Sequence, residues 1–154
     1  MTGRIAQISI SAGGVPKLSV PAADVSKLGL IGDRQGTPKV HGGPERAVCL
    51  WSLEVIEALQ QEGHNLAPGY AGENVTIAGL DWPQIAPGWQ LQLGQNVLLE
   101  IASYAAPCRK NMRWFADKRF GRISQKHYPG SSRIYARVLQ TGTIREGDVV
   151  VIVA

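Results

Sequence analysis

A chain of 154 residues, 44% hydrophobic and only 18% charged, suits one globular domain over residues 1–154 and is too apolar for a disordered tail. Its net charge is +4, with basic residues densest from Arg109 to Arg137, so an anionic ligand is expected near that segment. No stretch approaches the roughly 20 consecutive apolar residues that span a bilayer, and the opening MTGRIAQISIS is too short in its apolar run for a secretory signal, so the expectation is a cytoplasmic protein without membrane contact.

Glycine (18) and proline (9) are spread along the chain rather than gathered in a linker, which predicts many turns between short strands. Residues 4–10, RIAQISI, read as a strand closed by a turn at Gly13-Gly14. Val15-Pro16-Lys17 restarts the chain as an edge or loop, because proline cannot donate to a ladder. Leu28 to Ile31 is a short strand leading into the loop Gly32-Asp33-Arg34-Gln35-Gly36, and TPKVHGGPER over 37–46 is an irregular connection. After apolar AVCLW, Ser52 is placed to cap a helix SLEVIEALQQEG that stops at Gly63. Val75 and Ile77 mark a brief strand, and two alternating runs broken at Gly94 predict a hairpin. RKNMRWFADKRF, residues 109–120, predicts a second, basic helix ending at Gly121. Strands at Ile134 to Leu139 and Asp148 to Val153 complete the chain. About seven short strands and two helices predict a mainly β protein, a closed or nearly closed barrel, since closure removes exposed edges.

Two cysteines without recurrent spacing define neither a disulfide framework nor a four-thiolate zinc site. Cys49, between Val48 and Leu50, reads as a buried structural thiol. Cys108 follows a predicted strand and precedes Arg109 and Lys110, whose charge stabilises a thiolate; a reactive ligand and an inert buried thiol are both open readings. Lys39, His41 and the glycines 42 and 43 combine cationic side chains with a backbone that an anion can approach, although an ordinary turn has the same composition. Glu73 and Asn74 are either polar hooks for a heterocycle or part of a solvated turn. His64 and His127 read as solvated. Arg133, Arg137 and the arginines of 109–120 either bind a phosphate or form a solvated basic face. Trp114, Tyr128 and Tyr135 read as core residues or pocket walls. With 6% aromatic residues and no RNA-binding, zinc-finger or basic-zipper motif, nucleic acid ranks last among partners.

Several landmarks occur in order along nearly the whole chain: GGVPK at 13–17, GDR at 32–34, KVHGGPERAV at 39–48, GEN at 72–74, Pro107-Cys108, YARVL at 135–139 and Gly147-Asp148. As a set they resemble the MOSC family, named for the C-terminal domain of molybdenum cofactor sulfurase. The resemblance implies a β-barrel like one domain of pyruvate kinase, with a cofactor cleft at its mouth. It also implies that Cys108 is the protein ligand of molybdenum or a sulfur carrier. Its cofactor is a phosphate-bearing pterin dithiolene, which requires cations for the phosphate and polar groups for the pterin. Arg34, Lys39, His41, Glu73 and Asn74 lie on landmarks and are the candidates, joined by Arg133 just before the YARVL strand.

Family members of the stand-alone or two-domain type reduce N-hydroxylated bases and related compounds to amines. The resemblance therefore implies a molybdenum-dependent oxidoreductase with a small N-hydroxylated substrate. Electrons would come from a separate flavin or iron–sulfur protein, because the chain lacks the additional cysteines of a cluster. A carrier that binds cofactor or transfers sulfur as a Cys108 persulfide is a second implied role, and a basic nucleic-acid-binding module is a third.

Overall fold

A computed structural model describes residues 2–34 and 43–153 of the chain. The first strand, β1 (Thr2–Ile10), buries Ile5 and Ile8 completely. Their spacing of three breaks the period of two because the register with its neighbour shifts between Ile5 and Gln7, and such a bulge turns the later residue back toward the core. Short strands β2 (Leu18–Val20), β3 (Ala22–Ser26) and β4 (Gly29–Leu30) follow. Then come β5 (Val48–Ser52), helix α1 (Leu53–Gln61), β6 (Val75–Ala78), β7 (Gln90–Leu93), β8 (Val97–Tyr104), β9 (Ile134–Gln140), β10 (Gly142–Arg145) and β11 (Val149–Ile152).

Seven of these strands close on themselves in the order β1-β6-β5-β9-β8-β7-β11, with β11 pairing back to β1 through Thr2↔Val151 and Arg4↔Val149. The expected closed barrel is therefore present. The second half of β1 carries β2 through Ile8↔Val20 and Ile10↔Leu18, so β2 and β11 share one edge of β1. β3, β4 and β10 form a separate three-stranded sheet. Among the described strands only β5 and β6 pair in parallel, and parallel neighbours need a crossover. α1 supplies it. Ser52 accepts from the Val55 amide at 3.2 Å, while Gly63 takes the left-handed conformation (φ +96°) that ends the helix, as the sequence predicts. Ile56 and Leu59 face the barrel, whose interior is filled by residues such as Leu50, Ile77, Leu91, Leu99 and Ile101.

Four short strands exceed or shorten the sequence-based reading. β2, β3 and β10 were not expected, because they are brief, the first two lying beside Pro16 and Pro21 and the third starting at Gly142, and β4 spans only two of the four residues assigned to it. The basic segment also differs from a continuous helix over 109–120. A 3-10 helix covers Arg109–Trp114 and ends where Phe115 turns extended and buries its ring. A second 3-10 turn covers Phe120–Ile123. Lys118 between them has φ +60°, which a continuous right-handed helix does not allow. Among the described residues no helix is long and apolar enough to cross a membrane.

Candidate functional site

Arg133 stands directly before β9 and Tyr135 within it; two residues apart on an extended backbone, they face the same side. Cys49 on β5 pairs in register with Tyr135, and Cys49, Tyr135 and Ala105 form an apolar cluster apart from the main core. Over this wall the chain brings the loop containing Gly14, Val15 and Lys17, residues 71–74, Arg46, and the start of the 3-10 helix at Cys108. Together they enclose a cleft with about 520 Å³ of empty space, open in part to solvent. Among the described residues its charged lining consists of Lys17, Arg46, Lys110 and Arg133, all cations.

One edge of the cleft is held by Asp33. Its Oδ2 accepts from Lys17 Nζ at 2.7 Å and from Asn74 Nδ2 at 2.9 Å, and its Oδ1 accepts from the Ser11 amide at 3.0 Å. Asn74 in turn accepts from the Cys49 amide at 3.1 Å through Oδ1, while its own amide donates to the Cys49 carbonyl at 2.8 Å. The backbone N–H and the side-chain oxygen of Asn74 together thus behave as an extra length of strand beside β5. Glycine is required at two points nearby. A Cβ on Gly69 (φ +87°) would lie 2.4 Å from the Lys17 carbonyl, and Gly72 (φ +94°) lets the chain pass close to Val15.

Arg133 is 3% exposed. Its two terminal nitrogens donate to the Ala71 carbonyl at 3.1 Å and the Ala106 carbonyl at 2.8 Å, and its buried Nε has no hydrogen-bond partner among the described residues. No carboxylate there forms an ion pair with it, although its charge acts on the buried Glu73 carboxyl. Its position is fixed from behind, since the indoles of Trp51 and Trp82 donate to the carbonyls of Ser131 and Ser132. Ala71 also accepts from buried Asn111, which ties the 3-10 helix to the same carbonyl.

Cys108 caps the 3-10 helix, its carbonyl accepting from the Asn111 amide at 2.9 Å, and its side chain is half-buried at the cleft. Cys49 lines the same cleft from below but is buried, and burial pushes its thiol up to about 11. Cys108 is therefore the thiol that a ligand in solution reaches.

Of the residues singled out from sequence, Cys108, Asn74 and Arg133 meet in this cleft. Arg34 does not: its side chain is exposed and absent from the lining, and its amide binds the Ser11 carbonyl. Glu73 is fully buried and faces away from the lining; its Oε2 accepts from the Gly69 amide at 2.9 Å and Thr76 Oγ1 at 3.2 Å, so it secures the glycine that approaches Lys17. Burial pushes its carboxyl up. Lys39 and His41 lie outside the described residues. His64, read as solvated, is in fact buried, with Nδ1 accepting from the Ala116 amide at 3.1 Å; His127 is exposed as expected. Arg122 and Arg137 are engaged, the first with Glu62 and the second with both Glu45 and Glu100, which removes them from any continuous basic face. Lys17, Arg46 and Asn111 were not singled out. The first two stand on landmarks, GGVPK and KVHGGPERAV, and that was the available signal; Asn111 carried none.

Residues 37–151 match the MOSC domain family. The chain belongs to that family. YflK of Bacillus subtilis (strain 168) is 30% identical over 118 residues, covering 75% of this chain and 52% of YflK. YiiM of Escherichia coli (strain K12) is 34% identical over 91 residues, covering 56% and 40%. A protein named Reductase from Gibberella moniliformis is 29% identical over 130 residues, covering 81% of this chain and 22% of that one. The chain thus spans about half or less of the curated relatives it matches. Among solved structures, YiiM from Geobacillus stearothermophilus superposes with a TM-score of 0.75 at 24% identity, covering 99% of this chain and 75% of that one. This likeness establishes the fold: the MOSC barrel.

Proposed function

We propose that the cleft binds molybdenum cofactor with Cys108 as the protein ligand of the metal, and that the loaded protein reduces small N-hydroxylated compounds to amines. The observation that carries this reading is the meeting of Cys108 with Arg133, a buried guanidinium that has no carboxylate partner among the described residues and keeps a spare Nε–H. A buried charge of that kind calls for an anion, and a half-buried thiol beside it suits a soft metal. The residues therefore fit a ligand that carries both a phosphate and a metal. Among the described residues no cluster of three or more His, Cys, Asp or Glu is placed to hold a metal ion by itself, which suits a metal brought in on an organic ligand.

When bound, the cofactor would supply a metal able to accept oxygen from the substrate and relay two electrons. Overall, the N-hydroxy compound, two electrons and two protons give the amine and water, with the electrons from a separate flavin or iron–sulfur protein. In this scheme Arg133 and Lys17 supply positive charge, Asn74 keeps Lys17 oriented through Asp33, and Asn111 holds the Cys108 turn.

The test is the molybdenum content of the protein and of Cys108→Ala, each made in a host that synthesises the cofactor. Near-stoichiometric metal that is lost in the variant, with turnover of a hydroxylamino base by an artificial reductant, supports the reading. Metal absent from both after reconstitution with isolated cofactor sinks it. Transfer of cofactor to an apo-enzyme without turnover would make the protein a carrier.

A further inference from the structure

The cations of the cleft lie at two depths. Arg133 is deep, at 3% exposure, whereas Arg46 is half-buried at the rim. Arg46 ends a 3-10 turn, Pro44–Arg46, that leads into β5, and places its guanidinium 5.6 Å from the centre of the Tyr135 ring. The carboxylates near the cleft form no ion pair with Arg46. Glu45, its neighbour in sequence, pairs with Arg137; Asp33 is taken by Lys17, Asn74 and Ser11; Glu73 is buried, its Oε2 held by Gly69 and Thr76 and its Oε1 without a hydrogen-bond partner among the described residues. Arg46 forms no ion pair among the described residues, and the aromatic face it covers shields it from water on one side. A guanidinium held in this way is a fork for a second oxyanion.

Resting on the cofactor reading above, we propose that Arg46 is a specificity determinant that selects anionic N-hydroxylated substrates. The substrates would bear a phosphate, as in the monophosphate of an N-hydroxylated nucleoside, rather than being neutral or cationic. Arg133 at depth answers the cofactor's phosphate, and Arg46 at the rim answers the substrate's. A cleft whose lining, among the described residues, has cations at both levels and no carboxylate repels a cationic substrate at either.

Binding of the reaction's amine product tests this without turnover. Adenosine and adenosine 5′-monophosphate, differing in one phosphate, are titrated calorimetrically into the protein as purified from a cofactor-synthesising host, with molybdenum content measured on the same samples. The monophosphate is expected to bind about tenfold tighter or more at low salt, as one charge-assisted contact allows. The preference should shrink as salt shortens the screening length from about 30 Å to about 3 Å. It should vanish in Arg46→Gln and persist in Arg46→Lys, with thermal melting showing that each variant is folded. Equal affinities, or a preference that survives Arg46→Gln, overturn the proposal. Loss of the preference in Arg46→Gln together with absence of molybdenum would leave the anion-selective rim standing and remove the cofactor reading.

Discussion

Lys17 and Asp33 form a buried ion pair across the cleft edge, with Nζ and Oδ2 2.7 Å apart and the side chains 6% and 2% exposed. They join a loop after β1 to the turn after β4, two segments that share no ladder there. Asp33→Ala leaves the Lys17 charge buried and unpaired and removes an acceptor from Asn74. We expect it to cost about 3–5 kcal/mol, measured by urea unfolding. Lys17→Met in the same background should recover part of the loss. A cost below about 1 kcal/mol would mean that the pair behaves as a solvated one.

The two thiols of the cleft should differ sharply in reactivity. At pH 8, iodoacetamide is expected to alkylate Cys108 in the folded protein and spare Cys49. Burial shields Cys49 and raises it to about 11, leaving about one thiolate in a thousand at that pH. Peptide mass spectrometry before and after unfolding reads the result. Equal labelling in the folded state would contradict the burial of Cys49.

Glu73 gives the stability a pH dependence of defined sign. Its carboxyl is pushed up by burial, with Gly69, Thr76 and the Arg133 charge opposing the shift. In the unfolded chain it loses its proton in the ordinary carboxylate range, while the folded protein keeps that proton to higher pH. The folded state then binds more protons, so stability is full below the unfolded value and declines as pH rises toward the raised folded value. The urea midpoint should fall over that window in the parent and be flatter in Glu73→Gln. Parallel profiles would show that Glu73 is not the source.

Gly69→Ala combines a left-handed backbone with a Cβ placed 2.4 Å from the Lys17 carbonyl. The backbone conformation alone costs about 1–2 kcal/mol, and the clash adds to it by displacing Lys17. We expect a lower melting temperature together with weaker molybdenum retention. Gly63→Ala, which has the same handedness and open space around it, should lower melting alone.

The barrel was legible because its long strands and α1 carry their own periodicity, and Ser52 and Gly63 mark the helix ends by local chemistry. β2 and β3 were not, because three to five residues beside proline carry no measurable alternation. The 109–120 segment misled because its helix-forming side chains are overruled at Phe115, which buries its ring beside His64. In the cleft, Cys108 was legible from its charged neighbours and from the landmarks. The depth ordering of Arg133 and Arg46 was not, since it arises from how β5 and β9 sit beside one another. Glu73 shows the opposite limit: a polar residue on a landmark supports the cleft from behind, through Gly69, without lining it.

The seam between β1 and β11 joins residues almost the whole described chain apart. During synthesis the cylinder therefore stays open until residues 149–152 have left the ribosome, and until then the first half of β1 and the outer side of β7 offer bare backbone to any passing strand. A nascent chain halted before that point should be held by chaperones or lost to aggregation. Val149, Val150, Val151 and Ile152 thus act as a latch on solubility, though none of them lines the cleft.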